Sequence, residues 1–315
     1  MVAAQRRHGG AGPARGMVAL LGSIALVLAG CSSSAGTAVT KTPDAAADRA
    51  GTVDVGGGRE IYLECHGAGS PTVVLVSGLG DGADTWDTAD PSATASPTVY
   101  GETAGFTRVC AYDRPGTGGS RSTEVAQPTS AQISADDLQL LLTASGETGP
   151  FVLVGHSYGG PIIRLFASDH PEEVAGLVLV DALSEDLGSG LTADQQAVFE
   201  SLNTPASSTA EFFDYAALVA QLRGSAPAPD VPVIVLTADT PQLTPDVLAS
   251  GQLPAGVDQQ FADALWAAQL AAQDLLAKKF AHAEHVTDTR SDHYIQLGNP
   301  QLVIDSIRDV VDSAR

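Results

Sequence analysis

Positive charge is scarce in this 315-residue sequence, which has 16 lysines and arginines against 37 aspartates and glutamates and a net charge of −21 at pH 7. Proteins that bind nucleic acid neutralise its phosphates with basic side chains, so this balance argues against a nucleic-acid partner. It also argues against polyanionic substrates and against electrostatic adhesion to anionic lipids. Neutral small molecules remain as candidate substrates.

Cysteine is scarce too, with three residues, Cys31, Cys65 and Cys110. A zinc site needs several cysteine or histidine ligands at characteristic spacings, and this sequence has no such spacing. We therefore expect neither a metal nor another cofactor. Outside the cytoplasm, two cysteines in one domain are bridged more often than free, which makes Cys65 and Cys110 candidates for a disulfide.

Long apolar runs are also lacking. Met17–Ala29 is apolar over thirteen residues, whereas a spanning helix needs about 20. Arginines precede this run, and it ends in Leu28-Ala29-Gly30-Cys31, which resembles the lipobox of bacterial lipoprotein signals. Residues 1–30 are therefore predicted to be a signal peptide. The Cys31 sulfur is predicted to carry a lipid that anchors the protein to the outer face of the cell membrane, and no other membrane contact is expected.

The rest of the chain divides into a tether and one domain. Residues 31–50 are small and polar and predict a flexible tether. In residues 51–315, short runs rich in Val, Leu and Ile alternate with helical patterns, which is typical of a mostly parallel sheet covered on both faces. Strands are expected at Thr52–Val55, Ile61–Cys65, Thr72–Val76, Thr107–Tyr112, Phe151–Val154, Leu177–Val180, Val233–Thr237 and Glu284–Thr289.

Helices are expected at Ser130–Ser145, Tyr158–Ser168 and Pro300–Ser313. Residues 183–230 predict a small cap over the carboxyl ends of the strands, where open α/β sheets bind ligands. Two cap helices are expected, around Ala193–Leu202 and Phe212–Leu222.

The candidate nucleophile is Ser157, in Gly155-His156-Ser157-Tyr158-Gly159. This G-x-S-x-G pattern follows a predicted strand and opens a predicted helix, as a nucleophile elbow does. The turn is strained and the helix packs closely, so both glycines are needed. A serine at its free pKa is a poor nucleophile and requires a neighbouring base. The candidate base is His293, which lies after the last strand and before the final helix.

The tetrahedral intermediate of acyl transfer needs two hydrogen-bond donors. One is expected to be the N–H of Tyr158, which follows the nucleophile at a helix N-terminus. The other is expected from the glycine-rich loop after the Thr72–Val76 strand, from Leu79 first and Gly80 second.

Four motifs occur in the order found in α/β-hydrolases: SGLGDG at 77–82, DRPGTGGS at 113–120, GHSYGG at 155–160 and SDHY at 291–294. Residues 51–314 resemble that superfamily, specifically its exported actinobacterial-type lipoprotein serine hydrolases. The resemblance implies the α/β-hydrolase fold, with a mostly parallel eight-stranded sheet, helices on both faces and a small cap insertion. In this fold the second and fourth strands are neighbours, which would pair Cys65 with Cys110. Asp113 and the glycines of DRPGTGGS are expected to shape the wall of the site.

The resemblance leaves two candidates for the acid that orients the base. Relatives usually carry it after the seventh strand in a G-x-x-D pattern, but Asp239 arrives early, lacks that glycine and is followed by an unusually long loop to His293. A minority, including dehalogenases and pancreatic-type lipases, holds the acid at the end of the sixth strand, where this chain has Asp181. We expect Asp181, with Asp239 as the alternative.

These residues together predict a serine hydrolase that cleaves a small neutral or apolar ester through an acyl-enzyme on Ser157, as carboxylesterases and lipases do. The alternatives are an amide- or peptide-cleaving enzyme similar to proline iminopeptidases, a perhydrolase, and a non-catalytic binding lipoprotein on a hydrolase scaffold. The sequence leaves the acyl and alcohol groups and the oligomeric state open.

Overall fold

The computed structural model describes residues 47–89, 97–120, 126–204 and 211–315. The predicted signal peptide, Cys31 and most of the predicted tether lie outside the described residues. No helix in the described ranges has the length and apolar character needed to cross a membrane.

The strands of the described chain form one eight-stranded sheet with the order β1-β2-β4-β3-β5-β6-β7-β8. They are β1 (Arg49–Gly56), β2 (Arg59–His66), β3 (Thr72–Val76), β4 (Val109–Tyr112), β5 (Phe151–His156), β6 (Val174–Val180), β7 (Val233–Leu236) and β8 (Glu284–Val286). β2 pairs antiparallel with β1 and β4, and all other neighbours are parallel. The predicted mostly parallel sheet is confirmed.

Helices cover both faces of this sheet. They are α1 (Val99–Thr103), α2 (Ala131–Ser145), α3 (Gly159–Asp169), α4 (Ala193–Asn203), α5 (Tyr215–Gly224), α6 (Pro245–Ala249), α7 (Gln259–Ala277), α8 (Ile295–Gly298) and α9 (Pro300–Ser313). Successive strand residues point to opposite faces. Val74 accordingly packs in the cluster that contains α2 and α3, whereas Val73 and Leu75 pack in the cluster that contains α1 and α9. The two clusters together form the core.

Local signals account for the ends of the long helices. The Ser130 hydroxyl accepts a hydrogen bond from Ile133 N and caps α2, which ends at Gly146 with a left-handed φ of 76°. Asn299 caps α9 in the same way, with Pro300 in its first turn. These are the residue types that helix termini favour.

The disulfide predicted between Cys65 and Cys110 is present. The two residues face each other across β2 and β4, with Cα atoms 4.1 Å apart. With Glu147, they form a cluster whose atoms are close enough to hold a metal. Its sulfurs, however, are bonded to each other and Glu147 pairs with Arg108.

One boundary and one insertion differ from the sequence-based expectation. β1 begins at Arg49, where a tether to residue 50 was predicted, because Arg49 pairs with Cys65 and its guanidinium donates to Ser145 O at 2.8 Å. The cap helices α4 and α5 lie where they were expected. A second insertion, which carries α6 and α7 between β7 and β8, was not expected.

Candidate active site

Ser157 lies on the sharp turn between β5 and α3. Its φ is 50°, in the left-handed region, and its carbonyl oxygen accepts hydrogen bonds from Gly160 N and Leu183 N. A Cβ on Gly155 would lie 2.7 Å from the Gly159 oxygen, and a Cβ on Gly159 would collide with the Val76 carbonyl. The packing therefore requires both glycines, as the elbow pattern predicts.

His293 and Asp181 are joined by a short hydrogen bond, with 2.6 Å between Nδ1 and Oδ2. The Asp181 side chain is 2% exposed, and its carboxylate also accepts from Ala238 N at 3.1 Å and Gln269 Nε2 at 3.0 Å. A proton on Nδ1 leaves Nε2 of His293 free to accept one. Ser157 Oγ makes no hydrogen bond to a described residue, and such contacts often tighten only when substrate binds.

Asp239 occupies a different position from Asp181. Its two carboxylate oxygens accept from Arg290 N at 2.8 Å and Ser291 N at 3.0 Å. It therefore stabilises the turn that leads to His293 and makes no hydrogen bond to the imidazole. The geometry required of the acid is met by Asp181, while the catalytic role of either aspartate stays a prediction.

His156 contacts the backbone of the loop that carries His293. Its Nε2 lies 2.9 Å from the His293 carbonyl oxygen, so Nε2 carries the proton and donates. Burial, and secondarily the nearby His293, hold the pKa of His156 well below its ordinary value. His156 is therefore a neutral hydrogen-bond donor that positions the backbone of His293.

The two expected oxyanion donors, Leu79 and Tyr158, line one pocket with Ser157. Neither of their N–H groups donates to an acceptor in the described ranges, which leaves both available to a ligand. The N–H of Gly80, the second choice in the loop, donates to Glu211 Oε2 at 2.8 Å. The geometry therefore favours Leu79 over Gly80.

Asp113, which the resemblance expects to shape the wall of the site, holds the backbone of two loops and does not itself line the pocket of Ser157. One carboxylate oxygen accepts from Ala83 N at 2.6 Å and the other from Gly119 N at 2.5 Å, which ties the loop after β4 to the loop after β3. Its neighbour Arg114 was not anticipated. Burial alone would lower the pKa of Arg114, but the adjacent Glu211 carboxylate raises it, so the guanidinium stays charged.

The pocket in front of Ser157 has a volume of about 140 Å³. Its described ionisable side chains are Asp181 and His293, and polar amides such as Gln269 complete the lining. Apolar residues of both insertions form the other walls: Leu183, Leu187, Phe199, Ala262, Leu265 and Trp266. Such a pocket accommodates a small, uncharged, largely apolar group.

Comparison with protein families agrees with this geometry. The family described as an alpha/beta hydrolase fold matches residues 71–217, a range that includes the glycine-rich loop after β3 and the turn at Ser157. A putative carbamate hydrolase RutD from Azorhizobium caulinodans is 36% identical over 126 residues, which cover 40% of this chain and 42% of that protein. An uncharacterized protein from Schizosaccharomyces pombe is 35% identical over 140 residues, 39% of this chain and 26% of that protein. The similarity thus spans less than half the length of these relatives.

Solved structures share the fold over most of the chain. The alpha/beta hydrolase domain-containing protein 10 from mouse has a TM-score of 0.57 at 15% identity, covering 85% of this chain and 100% of its own. A thermophilic esterase from Thermogutta terrifontis has a TM-score of 0.51 at 19% identity, covering 85% and 99%. At these identities the likeness shows the fold.

Proposed function

We propose that this chain, which has the α/β-hydrolase fold, is a serine hydrolase that cleaves a carboxylic ester. The observation that carries the proposal is the 2.6 Å contact from His293 Nδ1 to the buried Asp181 beside the Ser157 elbow. The nucleophile lies at the carboxyl end of β5, the orienting acid at the carboxyl end of β6 and the base in the loop after β8. All three line one pocket.

The reaction follows from these positions. Ser157 Oγ attacks the ester carbonyl while Nε2 of His293 accepts the hydroxyl proton, and Asp181 stabilises the imidazolium that forms. The carbonyl oxygen becomes an oxyanion that accepts hydrogen bonds from the N–H groups of Leu79 and Tyr158. Collapse of this intermediate breaks the C–O bond, and the leaving alkoxide takes the proton from His293. Water, activated by the same base, then hydrolyses the acyl-enzyme and returns Ser157 to its free form.

A carbamate is the second candidate substrate. Relatives such as the one from Azorhizobium caulinodans are named putative carbamate hydrolases and match over 40% of this chain. The same attack and oxyanion would serve a carbamate carbonyl, so the two substrates differ in the leaving group and in the fit of the pocket. Amide cleavage and simple binding remain alternatives that the same experiment separates, and adding hydrogen peroxide to the ester assay tests for peracid formation.

The test combines an active-site label with a panel of substrates. A fluorophosphonate probe should label the protein at Ser157, and p-nitrophenyl esters of increasing chain length should be hydrolysed faster than matched carbamates and anilides. Ser157→Ala should abolish labelling and lower ester turnover by about 10³-fold or more. Ser168→Ala, the same substitution within α3, should change neither. Near wild-type hydrolysis by Ser157→Ala would favour the binding-protein alternative.

We further propose that Cys31 is lipidated and holds the domain at the outer face of the cell membrane. The support is the Leu28-Ala29-Gly30-Cys31 pattern after a short apolar run, and several acyl chains on one residue give stable anchoring. In a lipoprotein-processing bacterial host, Cys31→Ala should incorporate no labelled palmitate and leave the membrane fraction on a salt wash. Ser32→Ala should behave like the wild type, and a membrane-bound Cys31→Ala protein would refute the anchor.

A further inference from the structure

Arg114 and Glu211 form a buried ion pair beside the candidate oxyanion loop. The guanidinium makes two parallel hydrogen bonds to the carboxylate, Nε to Oε1 at 2.7 Å and Nη2 to Oε2 at 2.8 Å. Each side chain is 2% exposed. Removing two charges from water is costly, and apolar residues of similar volume often stabilise a fold as well or better. The position of this pair therefore calls for a functional reason.

The remaining N–H groups of Arg114 hold the backbone of the oxyanion loop. Nη1 donates to Ser77 O at 2.7 Å and Nη2 donates to Gly78 O at 2.5 Å. In a trans peptide the carbonyl and the following N–H point in opposite directions, and the bond between Gly78 and Leu79 is trans. By fixing the Gly78 carbonyl, Arg114 directs the N–H of Leu79 to the opposite side.

Glu211 holds the next peptide of the same loop. Its Oε2 accepts from Gly80 N at 2.8 Å, so that N–H is already engaged, whereas the N–H of Leu79 donates to no acceptor in the described ranges. The guanidinium of Arg114 also lies over the ring of Tyr158, 5.6 Å from its centre. Tyr158 provides the second donor, so the ion pair contacts both halves of the candidate oxyanion hole.

We propose that Arg114 and Glu211 are positioning residues that preorganise the oxyanion hole and couple it to the cap, from which Glu211 comes. This inference rests on the proposed ester hydrolysis, because the hole matters only if an oxyanion forms. Preorganised donors stabilise the transition state more than the bound substrate. Loss of the pair should therefore lower kcat and leave KM nearly unchanged.

The other end of β4 supplies a matched control. Arg108 and Glu147 form a buried pair of the same kind, with Nε to Oε2 at 2.8 Å and Nη2 to Oε1 at 2.7 Å and both side chains 4% exposed. Arg108 also donates to the carbonyls of Gly67 and Ala47. None of these groups lines the pocket of Ser157.

The experiment compares Arg114→Met/Glu211→Leu with Arg108→Met/Glu147→Leu. Both remove one buried ion pair and replace it with apolar side chains of similar size, and thermal unfolding checks that both variants fold. We expect the first variant to lose about 10- to 100-fold in kcat and to bind a trifluoromethyl ketone, which forms an oxyanion on Ser157, proportionally more weakly. The control should keep wild-type kcat and inhibitor affinity.

Two outcomes separate this inference from the proposed function. If wild-type protein hydrolyses esters and the folded Arg114→Met/Glu211→Leu variant keeps its kcat, the inference is wrong and the hydrolase proposal stands. If wild-type protein hydrolyses no ester, the proposed function fails first.

If the double variant does not fold, the single variant Glu211→Gln tests the inference. Its amide nitrogen must face a donor, either Arg114 or Gly80 N, so kcat should fall at constant KM; unchanged kcat would overturn the inference.

Discussion

Two backbone positions at the candidate site have left-handed φ values, 50° at Ser157 and 40° at Asp181. A non-glycine residue in this region costs of order 1–3 kcal/mol and persists where the surroundings impose it. Ser157 directly follows β5 and Asp181 directly follows β6, which are adjacent parallel strands. The strain therefore falls at the two neighbouring strand ends that bring the candidate nucleophile and the candidate acid to one edge of the sheet.

The assignment of the acid gives a prediction at the level of single residues. Asp181→Asn should lower kcat by about 10³- to 10⁴-fold, because an amide facing Nδ1 favours the wrong imidazole tautomer. Asp239→Asn keeps one of the two side-chain oxygens that accept from Arg290 N and Ser291 N, and it should cost far less. Steady-state kinetics on a p-nitrophenyl ester measures both. A larger loss for Asp239→Asn than for Asp181→Asn would reverse the assignment.

Residues differ in how far the sequence could identify them. Ser157 and His293 sit in local patterns at fixed places in the order of elements. Gln269 contacts Asp181 across 88 positions and Arg114 contacts Glu211 across 97. No local pattern marks either pair, because each forms only when an insertion folds over the sheet. Such contacts require the tertiary structure.

At the scale of elements, the helix that sequence reasoning missed is α7. It belongs to the long segment after Asp239, for which the sequence predicts a loop. Signals for it were present: the Asp258 side chain accepts from Phe261 N at 2.9 Å as an N-cap, and an alanine-rich run of 19 residues follows. Alanine favours helices intrinsically but contributes little apolar surface, so the run lacked the periodicity that revealed α2 and α9. The strands and the cap helices α4 and α5 were predicted, because Val, Leu and Phe residues mark them in the sequence.

Because α7 forms a wall of the pocket, it should set substrate size. Trp266→Ala removes a large ring from the pocket lining and should shift the preferred p-nitrophenyl ester toward longer acyl chains, through lower KM for those substrates. Leu270→Ala changes an exposed residue of the same helix and should leave the chain-length profile as in the wild type. An unchanged profile in Trp266→Ala would place the substrate's variable group elsewhere.

At the scale of the whole molecule, a charge cluster around the buried Glu185 joins distant parts of the fold. Arg164 of α3 makes two hydrogen bonds to Glu185, at 2.7 and 2.9 Å. Lys279, just beyond α7, contacts Glu185 at 3.1 Å and Asp186 at 2.8 Å. The cluster thus connects the helix behind the nucleophile to the start of the cap and to the end of the second insertion.

This cluster predicts how stability depends on pH. Burial raises the pKa of Glu185, but the hydrogen bonds and charge of Arg164, together with Lys279, outweigh it and hold the pKa at about 2, below the ordinary 4.5. A group whose pKa is depressed by folding stabilises the protein fully above its unfolded pKa. That contribution, roughly 3 kcal/mol for this shift, is lost as the pH falls from about 4.5 toward about 2.

Glu185→Gln should therefore lower the free energy of unfolding at pH 7 by roughly 3 kcal/mol, and the difference from wild type should shrink as the pH falls below about 4.5. Urea unfolding of both proteins across pH 7 to pH 3 measures this difference directly, because the titration of all other carboxylates is common to the two. Asp305→Asn, at a side chain that is 54% exposed, should match the wild type at every pH. A difference for Glu185→Gln that stays constant with pH would mean that packing, rather than the charge of Glu185, links these parts of the molecule.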